Sequence, residues 1–121
     1  MLFRSILKRW RSLVSQGLSL IVYPEGTRTP DGHVARFKAG SFLLAIQAGL
    51  PIVPLSIVGT RNVMPKGRLR TEPAHVTLLV HDPIQPPVIA DPTTHDAKAL
   101  ADRVHDIVAR PVEDALQVFH R

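Results

Sequence analysis

The chain has 121 residues, of which 45% are hydrophobic and 21% charged, a composition that excludes a disordered or fibrous protein and fits one compact domain. Cysteine is absent, which excludes disulfides and thiolate metal sites and makes an intracellular reducing compartment the simpler expectation. The net charge of +5 is uneven, because residues 1–70 carry +9 and residues 71–121 carry −4. Such a basic half suits a phosphorylated ligand, an anionic membrane surface or nucleic acid.

The first predicted element is an amphipathic helix over residues 2–16 that ends near Gly17. Basic residues fill much of its polar face, and its apolar residues recur at helical spacing: Phe3, Ile6, Leu7, Trp10, Leu13 and Val14. We expect the apolar face to pack on a sheet and the basic face to be solvated, with contact to a membrane surface as the alternative. The segment lacks the long apolar core and small-residue cleavage site of a signal peptide.

The next element is LSLIVY at residues 18–23, a continuous apolar run that predicts a strand buried on both faces. Pro24 ends its hydrogen-bonding ladder. Glu25 to Arg28 would therefore lie at the carboxyl end of a buried strand, which is where open α/β sheets bind ligands. This position favours a functional role for these four residues.

A loop over residues 29–37 then leads into a helix that Lys38 is predicted to open and Gly49 to end. The apolar stripe of this helix is formed by Phe42, Leu43 and Ile46. Residues 50–58 predict a second buried strand, with its two prolines tolerated at its start or at unpaired edges. The apolar stretch 42–59 has the length of a membrane span, but polar residues, glycine and proline interrupt it.

The rest of the chain predicts a strand, a Pro-rich connection and a helix. Residues 75–82 are rich in β-branched residues and predict a third strand, and residues 83–92 form the connection. Thr93 with Asp96 three residues later predicts a helix N-terminus. We expect the helix to run to about Arg110 and Pro111 to kink or restart it. Residues 1–121 are thus interpreted as a single α/β domain with a C-terminal helical segment at 93–121.

The charged residues after the first strand predict an anion site. The Arg28 guanidinium matches phosphate oxygens, Gly26 and Thr27 keep the approach uncrowded, and Glu25 can hold the guanidinium or backbone amides in place. Lys38 adds a cation at a helix start, where free amides also favour an anion. The alternatives are a structural pair between Glu25 and Arg28 and a solvated Lys38.

The six histidines do not form a metal-binding pattern, so no metal site is predicted. His33 lies in the loop nearest Arg28 and is a candidate base, although a histidine in such a loop is more often simply exposed. Ser41 lacks the sequence of a nucleophile elbow.

Three blocks together resemble a known family. YPEGTR at 23–28, FKAG beginning at Phe37 and AGLPIVPLSI at 48–57 are similar in order and spacing to the PlsC-like glycerolipid acyltransferases, notably the 1-acyl-sn-glycerol-3-phosphate acyltransferases. The resemblance covers about residues 5–90. It implies part of a PlsC-like α/β fold, a small sheet flanked by helices with a C-terminal helix.

The resemblance also implies an activity, namely transfer of an acyl group from acyl-CoA or acyl-carrier protein to a lysophosphatidic-acid-type acceptor. The acyl donor is a co-substrate, and no cofactor or metal is expected. The implied location is peripheral, on the cytoplasmic side of the membrane. The acceptor phosphate is implied to bind Glu25, Gly26, Thr27 and Arg28, and we add Lys38 to this predicted site. Thr29 stands where the family more usually has Ser.

The chain departs from the family in its catalytic motif, a His followed five positions later by an Asp upstream of the phosphate block. None of the six histidines here has an Asp five positions later. We therefore predict no catalytic residue, an inactive isolated chain and an incomplete domain that lacks its N-terminal half. Loss of upstream strands would expose apolar edges, which predicts self-association.

Two other function classes remain open on the sequence. One is a non-catalytic module that binds phospholipid headgroups or a membrane surface through the basic helix, Arg28 and Lys38. The other is a nucleic-acid binder, which has only charge in its favour, because Trp10, Tyr23 and the few phenylalanines form no stacking pattern. No nucleic-acid partner is predicted.

Overall fold

A computed structural model describes residues 2–26, 33–59 and 75–119. Within these ranges the chain forms three helices and one two-stranded sheet. In chain order the elements are α1 (Leu2–Ser15), α2 (Gly40–Ala48), β1 (Leu55–Val58), β2 (Thr77–Val80) and α3 (Thr94–Phe119). In the part of the chain so described, no helix combines the length and the apolar character needed to cross a membrane.

Helix α1 agrees with the helix predicted over residues 2–16 and ends at Ser15, two residues before Gly17. The half-buried side chains of Trp10, Leu13 and Val14 belong to its apolar face. This face packs against α2 rather than against the sheet. The described basic side chains of the helix, Lys8, Arg9 and Arg11, are exposed.

The strand predicted at residues 18–23 is wrong. The segment is irregular backbone, and Ile21 and Tyr23 are 80% and 78% exposed. A strand exists only where a second strand completes its ladder, and the pairings present within the described ranges do not include residues 18–23. Glu25 and Gly26 therefore follow an unpaired apolar segment and not the end of a buried strand.

Helix α2 forms as predicted but begins at Gly40, two residues after Lys38. It ends at Gly49, whose left-handed φ of 65° allows the amides of Gly49 and Leu50 to donate to carbonyls of the last helical turn. Phe42 and Ile46 are buried, as the predicted apolar stripe requires.

The sheet is an antiparallel pair in which each strand is shorter than predicted. Leu55 faces Val80 and Ile57 faces Leu78 across the sheet, and these four side chains form an exposed aliphatic face. Ser56 points to the opposite, buried face. Pro51 and Pro54 shorten the strand predicted at residues 50–58, because proline has no N–H to donate. Residue 52 therefore contributes only an isolated bridge to residue 84.

Helix α3 begins with the predicted cap. The Thr93 amide donates to the Asp96 carboxylate at 2.8 Å, and the Asp96 amide donates back to Thr93 Oγ1 at 3.3 Å. The hydrogen bond from the Thr93 amide is the main cause that lowers the pKa of Asp96. Of the two expectations for Pro111, a kink or a restart of the helix, the restart is wrong, because α3 is continuous to Phe119. Packing stabilises it on both sides of the proline, through buried Ala109 before it and a Glu113 contact with His33 after it.

The core lies between α2 and α3, which pack directly on each other. Phe42 and Ile46 of α2 meet small and aliphatic residues of α3, and Phe37 joins the same cluster from the segment before α2. The buried residues of α3 in this cluster are Ala97, Leu100, Ala101 and Val104. Since Phe37 is next to Lys38 in the chain, the core fixes the backbone of the predicted anion site. The α/β class, with a small sheet, flanking helices and a C-terminal helix, is as predicted.

Candidate functional site

The predicted anion site is partly described, and it is built on a tight turn at residues 23–26. The Gly26 amide donates to the Tyr23 carbonyl at 3.2 Å, which closes the turn. Gly26 has a φ of +75°, a conformation that favours glycine. Thr27 and Arg28, the next two residues of the predicted site, lie outside the described residues.

Two hydrogen bonds join this turn to the segment 33–38. The Lys38 amide donates to the Pro24 carbonyl at 2.9 Å. The Ala35 amide donates to Glu25 Oε2, also at 2.9 Å. Glu25 is half-buried, so a charge-assisted bond to a backbone amide satisfies its carboxylate where solvent cannot fully do so. The prediction that Glu25 can hold backbone amides thus has a counterpart in the structure, although the amide belongs to the following loop.

The side chain of Lys38 lies directly over Gly26. A Cβ atom built on Gly26 would be 2.8 Å from Lys38 Nζ and 3.1 Å from Cε. The ammonium therefore approaches the turn at a distance that only a glycine permits without displacement. Lys38 is exposed, so its ammonium remains accessible to a ligand. Gly26 and Lys38, which are twelve positions apart and belong to the same predicted site, lie close together here.

His33, the candidate base, is paired with a carboxylate of α3. Its Nδ1 contacts Glu113 Oε2, and its side chain is 52% exposed. The contact orients the ring toward α3. A histidine held in this way attaches the loop to α3.

A second histidine, His105 of α3, reaches the same segment. Its Nε2 donates to the Val34 carbonyl at 3.0 Å, its Nδ1 lies 3.2 Å from Asp106 Oδ1, and its ring meets Phe37 edge-on at 5.1 Å. Burial acts to lower the pKa of His105, but the hydrogen bond to Val34 and the carboxylates of Asp106 and Asp102 outweigh it, so the pKa is raised. Only the imidazolium can donate from both nitrogens.

The buried residue Ser56 joins three parts of the fold. Its Oγ donates to the Val108 carbonyl of α3 at 2.8 Å and lies 2.6 Å from His81 Nε2. Because the single hydroxyl proton goes to Val108, Nε2 donates to Oγ, and His81 is not placed to act as a base on this serine. The pair is therefore structural. Sequence reasoning missed it, although a lone serine inside an apolar strand signals a buried hydrogen bond.

An apolar groove of about 510 Å³ is bounded partly by core residues such as Phe42. Pro24 and Phe37, the neighbours of Glu25 and Lys38, line one part of it. The lining also includes residues 18–22 and 50–55 and side chains from all three helices. Its volume and its apolar lining suit an aliphatic chain.

No group of His, Asp or Glu side chains within the described ranges is arranged to hold a metal ion. The buried polar side-chain atoms in those ranges also all have hydrogen-bond partners. The chemistry available at the described part of the site is thus cationic and hydrogen-bonding.

Comparison with known proteins identifies relatives of one kind. A family profile described as Acyltransferase matches residues 3–58, a range that contains Glu25 and Lys38. A 1-acyl-sn-glycerol-3-phosphate acyltransferase of Limnanthes alba is 37% identical over 108 residues, which is 88% of this chain and 37% of the relative. One of Chlamydomonas reinhardtii is 38% identical over 86 residues, 70% of this chain and 26% of the relative.

A solved structure agrees with the sequence comparisons. The crystal structure of the 1-acyl-sn-glycerophosphate acyltransferase PlsC from Thermotoga maritima matches with a TM-score of 0.72 and 36% identity, over 93% of this chain and 43% of that chain. The present chain therefore spans less than half the length of each of these three proteins.

Proposed function

Because the chain belongs to the PlsC-like glycerolipid acyltransferase family, we propose that it carries the acceptor-binding part of a 1-acyl-sn-glycerol-3-phosphate acyltransferase. In such a reaction an acyl group passes from acyl-CoA or acyl-carrier protein to the free hydroxyl of a lysophosphatidic-acid-type acceptor. The acceptor phosphate binds at Glu25, Gly26, Thr27, Arg28 and Lys38.

The observation that carries this proposal is the approach of the Lys38 ammonium to the Gly26 turn. A phosphate needs donors that converge on one point, and here a cation meets a turn whose glycine leaves room beside the backbone. Arg28 follows that turn by two residues and adds a planar pair of donors. Glu25 accepts a hydrogen bond from the Ala35 amide, so its role in the site is to hold the turn against the segment that carries Lys38.

The apolar groove supports a lipid acceptor over a small sugar phosphate. Its lining includes Pro24 and Phe37, which are the chain neighbours of Glu25 and Lys38. An acceptor whose phosphate contacts Lys38 can extend its acyl chain along the groove and gain about 0.8 kcal/mol for each methylene removed from water.

We further propose that the isolated chain binds the acceptor without turning it over. Acyl transfer needs a base for the acceptor hydroxyl, and the His and Asp spaced as in the family motif are absent from the 121 residues. His33 contacts Glu113, and the Ser56 hydroxyl donates to a backbone carbonyl. These contacts favour structural roles for both residues.

The proposed location is the cytoplasmic face of a membrane, with the chain bound peripherally. The exposed Lys8, Arg9 and Arg11 on α1 suit anionic headgroups. The same feature favours a second candidate function, a non-catalytic module that binds headgroups. The two differ in their dependence on the groove, because a headgroup module gains little from the acyl chain.

Calorimetric titration of the purified chain with lysophosphatidic acid below its micelle concentration tests the site. Arg28→Ala and Lys38→Ala should each weaken binding about tenfold, since a charge-assisted bond is lost. Lys98→Ala, an exposed lysine on α3, is the matched control for loss of charge. Equal affinity in all four proteins would refute the phosphate site.

Two further measurements separate the alternatives. Lysophosphatidic acid should bind more tightly than glycerol 3-phosphate, and Val53→Asn in the groove should reduce this preference while the fully exposed Val88→Asn should not. Release of CoA from acyl-CoA, followed with a thiol reagent, should stay at the blank rate, and the chain adds no background because it has no cysteine. Turnover above the blank would refute the inactivity, and its loss in His33→Gln would identify the base.

A further inference from the structure

We propose that helix α3 positions the phosphate-binding segment, with His105 as the principal positioning residue and the contact of Glu113 with His33 as its second attachment. The inference rests on the proposed function, because it assigns to α3 the placement of the Lys38 ammonium over Gly26. His105 and Glu113 lie on α3, many positions after the residues of the phosphate site.

The segment 33–38 has few internal means of holding its shape. The structure assigns it no helix or strand, so its backbone geometry depends on contacts with its surroundings. On one side it is bonded to the turn through Pro24 and Glu25. A segment held on one side only can swing away with the turn and carry Lys38 with it.

Helix α3 supplies the contacts on the other side. His105 Nε2 donates to the Val34 carbonyl at 3.0 Å, and its ring packs edge-on against Phe37 at 5.1 Å. Phe37 is itself buried against the core residues of α3, including Val104. These contacts flank Ala35, whose amide donates to Glu25. His105 and the core residues of α3 thus together hold the backbone immediately before Lys38.

The contact between Glu113 and His33 lies two turns further along α3. It attaches His33, the first described residue of the segment, which follows Arg28 of the predicted site by five positions. With His105 attaching the middle of the segment, the two contacts fix both its position and its direction. Rotation about a single attachment is thereby prevented.

The charges around His105 favour the imidazolium, which can keep both bonds. Asp102 and Asp106 face it from α3, and Arg36 of the segment lines the same small cavity of about 420 Å³. The guanidinium of Arg36 opposes the two carboxylates there but does not remove their net negative charge. The hydrogen bond to the Val34 carbonyl needs a proton on Nε2, which the imidazolium and the neutral ring protonated at Nε2 both carry.

Two substitutions at His105 separate positioning from general packing. His105→Phe keeps an aromatic ring against Phe37 and removes the donor to Val34. His105→Gln places an amide N–H close to the position of Nε2 and keeps the donor. Glu113→Ala removes the second attachment. The matched controls on α3 are His95→Phe and Asp114→Ala, both exposed.

The first readout needs no ligand. Hydrogen exchange measured by NMR on the full chain should show that the amides of Ala35 and Lys38 lose protection about tenfold in His105→Phe and Glu113→Ala. Protection should remain in His105→Gln and in both controls. The amides within the core of α3 should be unchanged, which distinguishes a local effect from general destabilisation.

The second readout is calorimetric affinity for lysophosphatidic acid. His105→Phe should bind about threefold to tenfold more weakly than the wild type, and His105→Gln should restore the affinity. Unchanged exchange in His105→Phe, or reduced exchange protection with unchanged affinity, would overturn the positioning role. A wild-type chain that binds no lysophosphatidic acid would instead refute the proposed function, and with it this role in binding.

Discussion

Replacement of Ser56 by alanine should destabilise the chain through the loss of two hydrogen bonds at one buried point. The Ser56 side chain is fully buried, and its Oγ is 2.8 Å from the Val108 carbonyl and 2.6 Å from His81 Nε2. These bonds connect β1 both to α3 and to the residue that follows β2. The substitution removes one oxygen and leaves almost no cavity, so its effect isolates the hydrogen bonds.

The expected loss is about 2 kcal/mol of the free energy of unfolding. A hydrogen bond contributes about 1 kcal/mol net, and a buried group left unpaired costs about 1–3 kcal/mol. After the substitution the Val108 carbonyl still lies within a helix, and water can partly hydrate the half-buried His81 side chain. Both circumstances keep the cost of the unpaired partners small, so the total stays near the sum of the two hydrogen bonds.

Urea unfolding followed by far-ultraviolet circular dichroism measures this loss. The midpoint should fall while the dependence on urea stays constant, because the surface exposed on unfolding does not change. Ser19→Ala, at an exposed serine, is the control and should stay within about 0.5 kcal/mol of the wild type.

A double-mutant cycle with His81→Phe tests the assignment of the partner. Once His81 cannot donate, Ser56→Ala should cost about 1 kcal/mol less than in the wild type. A change in stability of under about 0.5 kcal/mol for Ser56→Ala, or strictly additive effects in the cycle, would refute the described bonding.

Three further predictions concern other regions. The pKa of His105 is raised from 6.5 in the folded chain, so its contribution to stability is complete below pH 6.5 and is lost as the pH rises through the folded pKa. Urea unfolding at a series of pH values should show a smaller loss of stability with rising pH in His105→Gln than in the wild type. An equal loss in the two proteins would contradict this. Gly26→Ala and Gly49→Ala should each cost about 1–2 kcal/mol for their positive φ, but only the former places a Cβ against Lys38 and should also weaken calorimetric binding of lysophosphatidic acid. The exposed aliphatic face of the sheet predicts self-association that Ile57→Lys reduces; a wild type that sediments as a monomer at high concentration would refute it.

Local sequence signals predicted the helices well. The period of apolar residues located α1, Gly49 marked the end of α2, and Thr93 with Asp96 marked the start of α3, because each signal acts within one or two helical turns. Pro111 misled for the complementary reason. Its cost is local, but packing of α3 on α2 and on the segment before it outweighs that cost, and such contacts are not visible in a short window of sequence.

Predictions that depended on contacts between residues far apart in the sequence were wrong or incomplete. The segment 18–23 has the composition of a buried strand, yet a strand needs a second strand, and composition does not reveal whether one is available. For the candidate site, the sequence predicted the residue types but not their geometry. It assigned Gly26 and Lys38 to one site, whereas their close approach depends on the bonds made by Glu25 and Pro24. The roles of His105 and Ser56 required the tertiary structure.

The uneven charge of the chain has a structural use as well as a bearing on ligands. The acidic half contributes Glu113 and Asp106 on α3, which meet His33 and His105 beside the basic segment. These carboxylates attach the segment through histidines and leave the ammonium of Lys38 accessible. If they instead paired with that ammonium, the site would neutralise itself and lose its attraction for phosphate. The acidic helix can therefore hold a cationic loop in place without competing for the cation that the ligand needs.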